Sequence, residues 1–176
     1  MVGRRPLKAC NRGSNPCLAT NKSIAREALK YMDIINQVKN LKLTKDQYVV
    51  VGSGIMAMHG LKEIHDIDIV VSPEIFEGCK NKGWKTMHYT YPDKPGEIYL
   101  KQGDIELYTD VNCRNFNPTL QELLSKAEYF SGIPFICLDD LIKFKTEYNR
   151  PKDHKDIELM ENYLRAKRSS PVDLVQ

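Results

Sequence analysis

The alternation of apolar and polar positions divides this chain into short segments of different period. From Ser23, the apolar residues Ile24, Ala28, Met32, Ile35 and Val38 recur at helical spacing, with Lys, Arg and Asn between them. This predicts an amphipathic helix to about Asn40. Gln47–Val51 is an apolar run of strand type, and Ile55–His59 reads as a short helix opening from Gly52-Ser53-Gly54. His65–Val71 is a second apolar strand. Ser72-Pro73-Glu74 is a helix start, with a cap, a proline at the first helical position and an acid in the first turn. That helix ends near Gly83. Trp84–Thr90 and Glu97–Lys101 predict a hairpin around Pro92-Asp93-Lys94-Pro95-Gly96. Ile105–Thr109 is another strand, with Asp104, Glu106 and Tyr108 on one side.

Thr119 and Glu122 have capping-box spacing, and Leu120, Leu123, Leu124 and Ala127 follow helically. Pro134–Leu138 reads as a short strand. Asp139 is the expected cap of a helix containing Leu141, Ile142 and Phe144, which stops at Arg150-Pro151. Asp153 is the expected cap of a last helix with Ile157, Met160 and Leu164 apolar. The order predicts an α/β (α+β) fold: a small mixed sheet with helices on one face and a helical C-terminal end. There is no internal repeat and no linker long enough to split domains. One domain over 21–168 is expected, between a basic flexible tail at 1–20 and a frayed tail at 169–176.

Composition narrows the class without naming a task. At 176 residues the chain is long enough to bury a core, and its net charge of +3 is mild and spread along the sequence. That permits contact with nucleic acid without arguing for it. No apolar run approaches the ~20 residues of a membrane span. The N-terminus lacks an apolar h-region, so it does not read as a secretory signal. It lacks Asp and Glu too, which leaves a transit peptide as the alternative to a simple tail. The five cysteines form no Cys-x-x-Cys and read as reduced thiols of a cytoplasmic protein. His59 and His65 read as surface or hydrogen-bonded residues rather than metal ligands. Tyr89, Tyr91, Tyr99 and Tyr108 read as sheet packing, with an acceptor pocket as the alternative.

The candidate chemistry lies between Tyr48 and Val71. Asp66 and Asp68 are two apart on a strand and share a face. Two adjacent carboxylates repel, and a divalent cation is the usual compensation. Twelve residues separate Ser53 from Asp66, enough for a short helix and a return. The small-residue turn beside them leaves backbone N–H groups available for phosphate. Glu106, between Ile105 and Leu107, is a third acid in an apolar setting. Three such acids on neighbouring strands suit two cations ~3.5–4 Å apart.

With these residues in place, the chain resembles the nucleotidyltransferase superfamily related to DNA polymerase β. Gly52, Ser53, Asp66, Asp68 and Glu106 match its strand, Gly-Ser, Asp-x-Asp and later acid in order and spacing. Leu138–Glu158, LDDLIKFKTEYNRPKDHKDIE, is similar to small bacterial members of toxin and antibiotic-modifying type. The chain departs from the family at Ile64 and His65, where many members carry Thr or Ser before the first Asp. It departs again in having Glu at the third acid, with Asp104 as competitor. The resemblance implies a two-metal Mg²⁺ or Mn²⁺ site on Asp66, Asp68 and Glu106 (alternatively Asp104). Gly52 and Ser53 would meet the triphosphate of an NTP, Lys145 or Lys143 would neutralise it, and Asp153 would orient that lysine. Glu106 would double as general base. The implied acceptor is RNA or tRNA, a small molecule or a protein, with an antitoxin or a second copy as possible partner. The alternative is an inactive domain of the same fold that binds a nucleotide or a partner.

Overall fold

In the computed structural model, residues 31–89 and 97–169 are described. The expected tail at 1–20, the hairpin turn Pro92–Gly96 and residues 170–176 lie outside them. Seven strands form one mixed sheet in the order β3-β4-β5-β2-β1-β7-β6. They are β1 (Tyr48–Val51), β2 (Ile67–Val71), β3 (Lys85–His88), β4 (Ile98–Gln102), β5 (Ile105–Tyr108), β6 (Glu128–Phe130) and β7 (Ile133–Phe135). Helix α1 covers 31–40 of the described chain. It is followed by α2 (Gly54–Met58), α3 (Pro73–Asn81), α4 (Leu120–Ser125), α5 (Leu138–Tyr148) and α6 (Pro151–Ser169). β1 runs antiparallel to β2, β2 parallel to β5, and β4 antiparallel to both β5 and β3.

The register sorts the side chains into rungs across the sheet. Val50, Ile69, Leu107 and Leu100 are successive cross-strand neighbours, and all are fully buried. Burying such a side chain contributes about 1.5–3 kcal/mol, so this rung anchors the sheet centre. One residue along, the rung is Val51, Asp68, Glu106 and Lys101. Because side chains alternate, this polar rung points to the opposite face. A third rung carries Tyr99 and Tyr108, whose rings stack at 5.3 Å.

Two tight turns set these registers. Gly103-Asp104 joins β4 to β5 with Gly103 at φ +60, and Ser131-Gly132 joins β6 to β7 with both residues at positive φ. Positive φ matches the twist that a two-residue hairpin requires. At its C-terminal end α5 closes on Asn149 in the left-handed region, and Pro151 opens α6, so the two helices fold into a C-terminal pair.

Several expectations need correction. Met32 is 48% exposed, and the inward stripe of α1 is Ile34, Ile35 and Val38 with Tyr31 beside it. β6 was not foreseen, and β7 starts and ends earlier than Pro134–Leu138. Cys137, not Asp139, occupies the cap position of α5. Asp153 lies in the first turn of α6 rather than before it; its carboxylate accepts the backbone N–H of Arg150 at 3.2 Å. The starts of α3 at Ser72-Pro73 and of α4 at the Thr119–Glu122 capping box agree with the sequence reading.

Candidate functional site

β1 delivers the chain to Gly52, whose φ is +62. A Cβ at this position would collide with the Asp68 carboxylate, so the turn and the acid are packed against each other with no room for a side chain. L-residues resist this φ as well, which makes glycine the residue that fits. Ser53 follows, at the N-terminal edge of α2. Asp66 immediately precedes β2, and Asp68 lies within it, in register with Glu106 on β5. One carboxylate oxygen from each of the three lies within 4.8 Å of the others.

The three acids are not equivalent. Asp66 is exposed and Glu106 is buried. Among the described residues, no hydrogen bond or ion pair reaches the carboxylate of Asp66 or Asp68. Burial, reinforced by the charges of Asp66 and Glu106, pushes the Asp68 carboxyl from 3.8 up to about 7, against a weaker pull from Arg150 and Lys145. Glu106 is held on both oxygens. The Lys101 ammonium donates to Oε1 at 2.6 Å, and the Tyr108 hydroxyl donates to Oε2 at 2.5 Å. Burial, then the Asp68 charge, then that hydrogen bond, push the Tyr108 phenol far up, so its proton stays on.

The opposite wall comes from the helical pair. Lys145 is buried and donates to Asp153 at 3.0 Å and to Asp156 at 2.8 Å. Lys62 donates to both oxygens of Asp156 at 2.8 Å. Arg150 donates to Asp153 through Nε at 2.6 Å and Nη2 at 3.0 Å, and its guanidinium lies 4.2 Å from the centre of the Tyr148 ring. Burial pushes Asp153 and Asp156 up. The hydrogen bonds and charges of these cations outweigh it, so both carboxyls end below their ordinary value. Two acids thus meet three cations, which leaves this wall cationic. A cleft of about 250 Å³ lies between the walls, lined by Asp66, Asp68 and Glu106 on one side and Lys62, Lys145, Arg150 and Lys152 on the other. Gly52 and Ser53 complete the lining.

Sequence reasoning named Gly52, Ser53, Asp66, Asp68, Glu106 and Lys145 as site residues, and all of them line this cleft. Asp153 is fully buried behind it and grips Lys145. Two alternatives fall elsewhere. Lys143, two residues from Lys145 on α5, points away and pairs with Asp140 at 2.7 Å. Asp104 sits in the β4–β5 turn, outside the carboxylate cluster, and lines a larger cavity of about 680 Å³ with His65 and Ile64. That cavity has the greater volume but lacks the carboxylate cluster, which lines the smaller cleft.

Lys101, Lys62, Arg150 and Asp156 were not assigned roles. The Gly103-Asp104 turn was a usable signal for Lys101, because a two-residue hairpin there puts residues 101 and 106 opposite each other. Asp156 lies one helical turn from Asp153, which is also readable. Lys62 had no local signal. His59 is hydrogen-bonded, between Glu128 at 2.9 Å and the Tyr163 hydroxyl at 3.0 Å. Tyr89, Tyr99 and Tyr108 pack together, and Tyr89 and Tyr108 also line the cleft.

The donor set of Asp66 and Asp68 is all oxygen and anionic, on a cleft edge, which fits Mg²⁺ or Mn²⁺ better than a softer metal. The fit rests on geometry: the three acids bring carboxylate oxygens within 4.8 Å of one another, and no hydrogen bond or ion pair among the described residues engages the Asp66 or Asp68 carboxylate. Among the described residues, no helix is long and apolar enough to cross a membrane, and Cys79, Cys113 and Cys137 are free thiols. No family model, curated protein or solved structure matches the chain.

Proposed function

We propose that this chain is a divalent-cation-dependent nucleotidyltransferase with the fold of the superfamily related to DNA polymerase β. It would move a nucleoside monophosphate from an NTP to a hydroxyl or phosphate of an RNA, small-molecule or protein acceptor, releasing pyrophosphate. One observation carries the reading. An under-compensated carboxylate cluster and a cationic wall face each other across one cleft, with the Gly52-Ser53 turn at its edge. That pairing suits a ligand with both a bound cation and several phosphates.

Asp66 and Asp68 would hold the cation. A Mg²⁺ or Mn²⁺ there would offset phosphate charge and act as Lewis acid toward the reacting phosphate. Lys145, fixed by Asp153 and Asp156, and Arg150, fixed by Asp153, would meet the triphosphate with little rearrangement. Ser53 offers a hydroxyl at the turn. The acceptor oxygen attacks the α-phosphorus, the bond from that phosphorus to the bridging oxygen breaks, and pyrophosphate departs. Glu106, the third acid of the cluster, would receive the acceptor's proton. Gly52 keeps the turn close to Asp68, which brings the bound phosphates and the carboxylates together.

The test is calorimetric binding of each NTP with Mg²⁺, to the wild type and to Asp66→Ala/Asp68→Ala. Metal-dependent binding that is lost in the double variant is expected. A folded wild type that binds no NTP overturns the enzyme reading and turns the search toward partner proteins.

A further inference from the structure

The acids of the cluster differ in who already holds them. Asp66 and Asp68 receive no donor from the described protein, whereas both oxygens of Glu106 are taken. This difference is built into the sheet. Lys101 is the register partner of Glu106 on β4, and Asp68 is its register partner on β2. The ammonium and the Asp68 carboxylate therefore flank Glu106 from its two neighbouring strands. The Gly103-Asp104 turn fixes the first pairing and the parallel β2–β5 ladder fixes the second. Tyr108 is likewise held in place, since its ring stacks on Tyr99 two rungs along.

We infer that Lys101 stands in for a second cation: the site takes one divalent ion, at Asp66 and Asp68, and the Lys101 ammonium supplies the positive charge at Glu106. This rests on the cation-dependent reading above and changes its stoichiometry. A two-metal site needs the third acid to bridge toward a second ion ~3.5–4 Å from the first. That ion would have to settle beside an ammonium already 2.6 Å from the same carboxylate. Two positive charges that close repel, and in a partly dry cleft the repulsion is weakly screened. In this arrangement Lys101 is a positioning residue: it holds Glu106 toward the cleft and keeps it from ligating.

The test is Mn²⁺ binding to the whole chain without nucleotide, counted by electron paramagnetic resonance, with circular dichroism as the check on folding. One Mn²⁺ per wild-type chain is expected, two for Lys101→Met, and one again for Lys101→Arg, which restores the charge. Lys101 is more than one-third exposed on its strand, so a neutral replacement of similar length is compatible with the fold. Two ions in the wild type would mean that the lysine swings aside, and would overturn the inference. So would a single ion in Lys101→Met, or two in Lys101→Arg. The nucleotidyltransferase reading fails separately. If NTP does not bind while the Mn²⁺ counts are as expected, Lys101 keeps its role and the reaction falls. No Mn²⁺ in the wild type overturns the inference, while the nucleotidyltransferase reading stands or falls on metal-dependent NTP binding.

Discussion

Asp68 and Asp153 are the same residue type, both withdrawn from water, and their carboxyls shift in opposite directions. Burial pushes each upward. Around Asp153 the protein answers with the Arg150 guanidinium and the Lys145 ammonium, and the carboxyl ends below its ordinary value. Around Asp68 the nearest answers are two more carboxylates, and the carboxyl ends near 7. The first arrangement is complete in itself and holds α5 against α6. The second has no such partner among the described side chains, and on this the proposed cation site rests. Buried charge alone therefore does not mark a functional site. The mark is buried charge that the chain leaves uncompensated beside an open cleft.

The largest expected effect breaks the compensated side. Lys145→Met leaves Asp153 and Asp156 without their shared buried partner and should cost about 3–5 kcal/mol of stability. Urea denaturation measures it. A loss below about 1 kcal/mol would show that this cluster is not held together by Lys145.

Asp68→Asn should act in the opposite direction. The folded pKa of Asp68 lies above its unfolded value of 3.8, so the folded state binds the proton more tightly. Its contribution to stability is full below about pH 3.8 and is lost as pH rises through about 7. At pH 8 without metal, the ionised carboxyl is a net cost. Each pKa unit corresponds to about 1.4 kcal/mol, and water at the cleft mouth reduces the total. The Asn variant should gain on the order of 2 kcal/mol at pH 8 and less at pH 5.5. Added Mg²⁺ should stabilise the wild type increasingly as pH rises, because the ion competes with that proton, and should leave the Asn variant unmoved. Thermal melts in EDTA and in Mg²⁺ at both pH values decide this. An Asn variant less stable than wild type at pH 8 in EDTA would remove the contrast between the two clusters.

Lys143→Ala sets the lower bound. Lys143 is largely exposed, and its partner Asp140 keeps Lys126 at 3.3 Å. The expected loss is under about 1 kcal/mol, with Mn²⁺ and NTP affinity unchanged. An altered affinity would return Lys143 to the site.

What could be read from the chain followed distance along it. Gly52, Asp66 and Asp68 were legible because a strand, a small-residue turn and a returning strand form a local pattern. Alternation then decides which side chains share a face. Glu106 was legible as an acid among apolar neighbours. Its choice over Asp104 was not, since both have the same parity; only the position of the tight turn puts Asp104 outside the strand. Asp153 looked like a cap because an acid near a helix start usually is one, and the pairing with Lys145 depends on how α5 folds onto α6. Met32 fitted a helical stripe on spacing alone, but which of several possible stripes turns inward is chosen by what the helix packs on.

The sequence by itself determined most of the elements, the two-carboxylate strand and the glycine that lets the chain pass beside it. Those features depend on backbone sterics and on side-chain period, which act over a few residues. Tertiary structure decided which charges are balanced. Lys62 reaches Asp156 across 94 positions of sequence and Lys101 reaches Glu106 across a hairpin, while Asp66 and Asp68 receive no such partner. Ionic compensation falls off over a few ångströms of space whatever the separation along the chain, so only the folded arrangement could separate the paired acids from the unpaired ones.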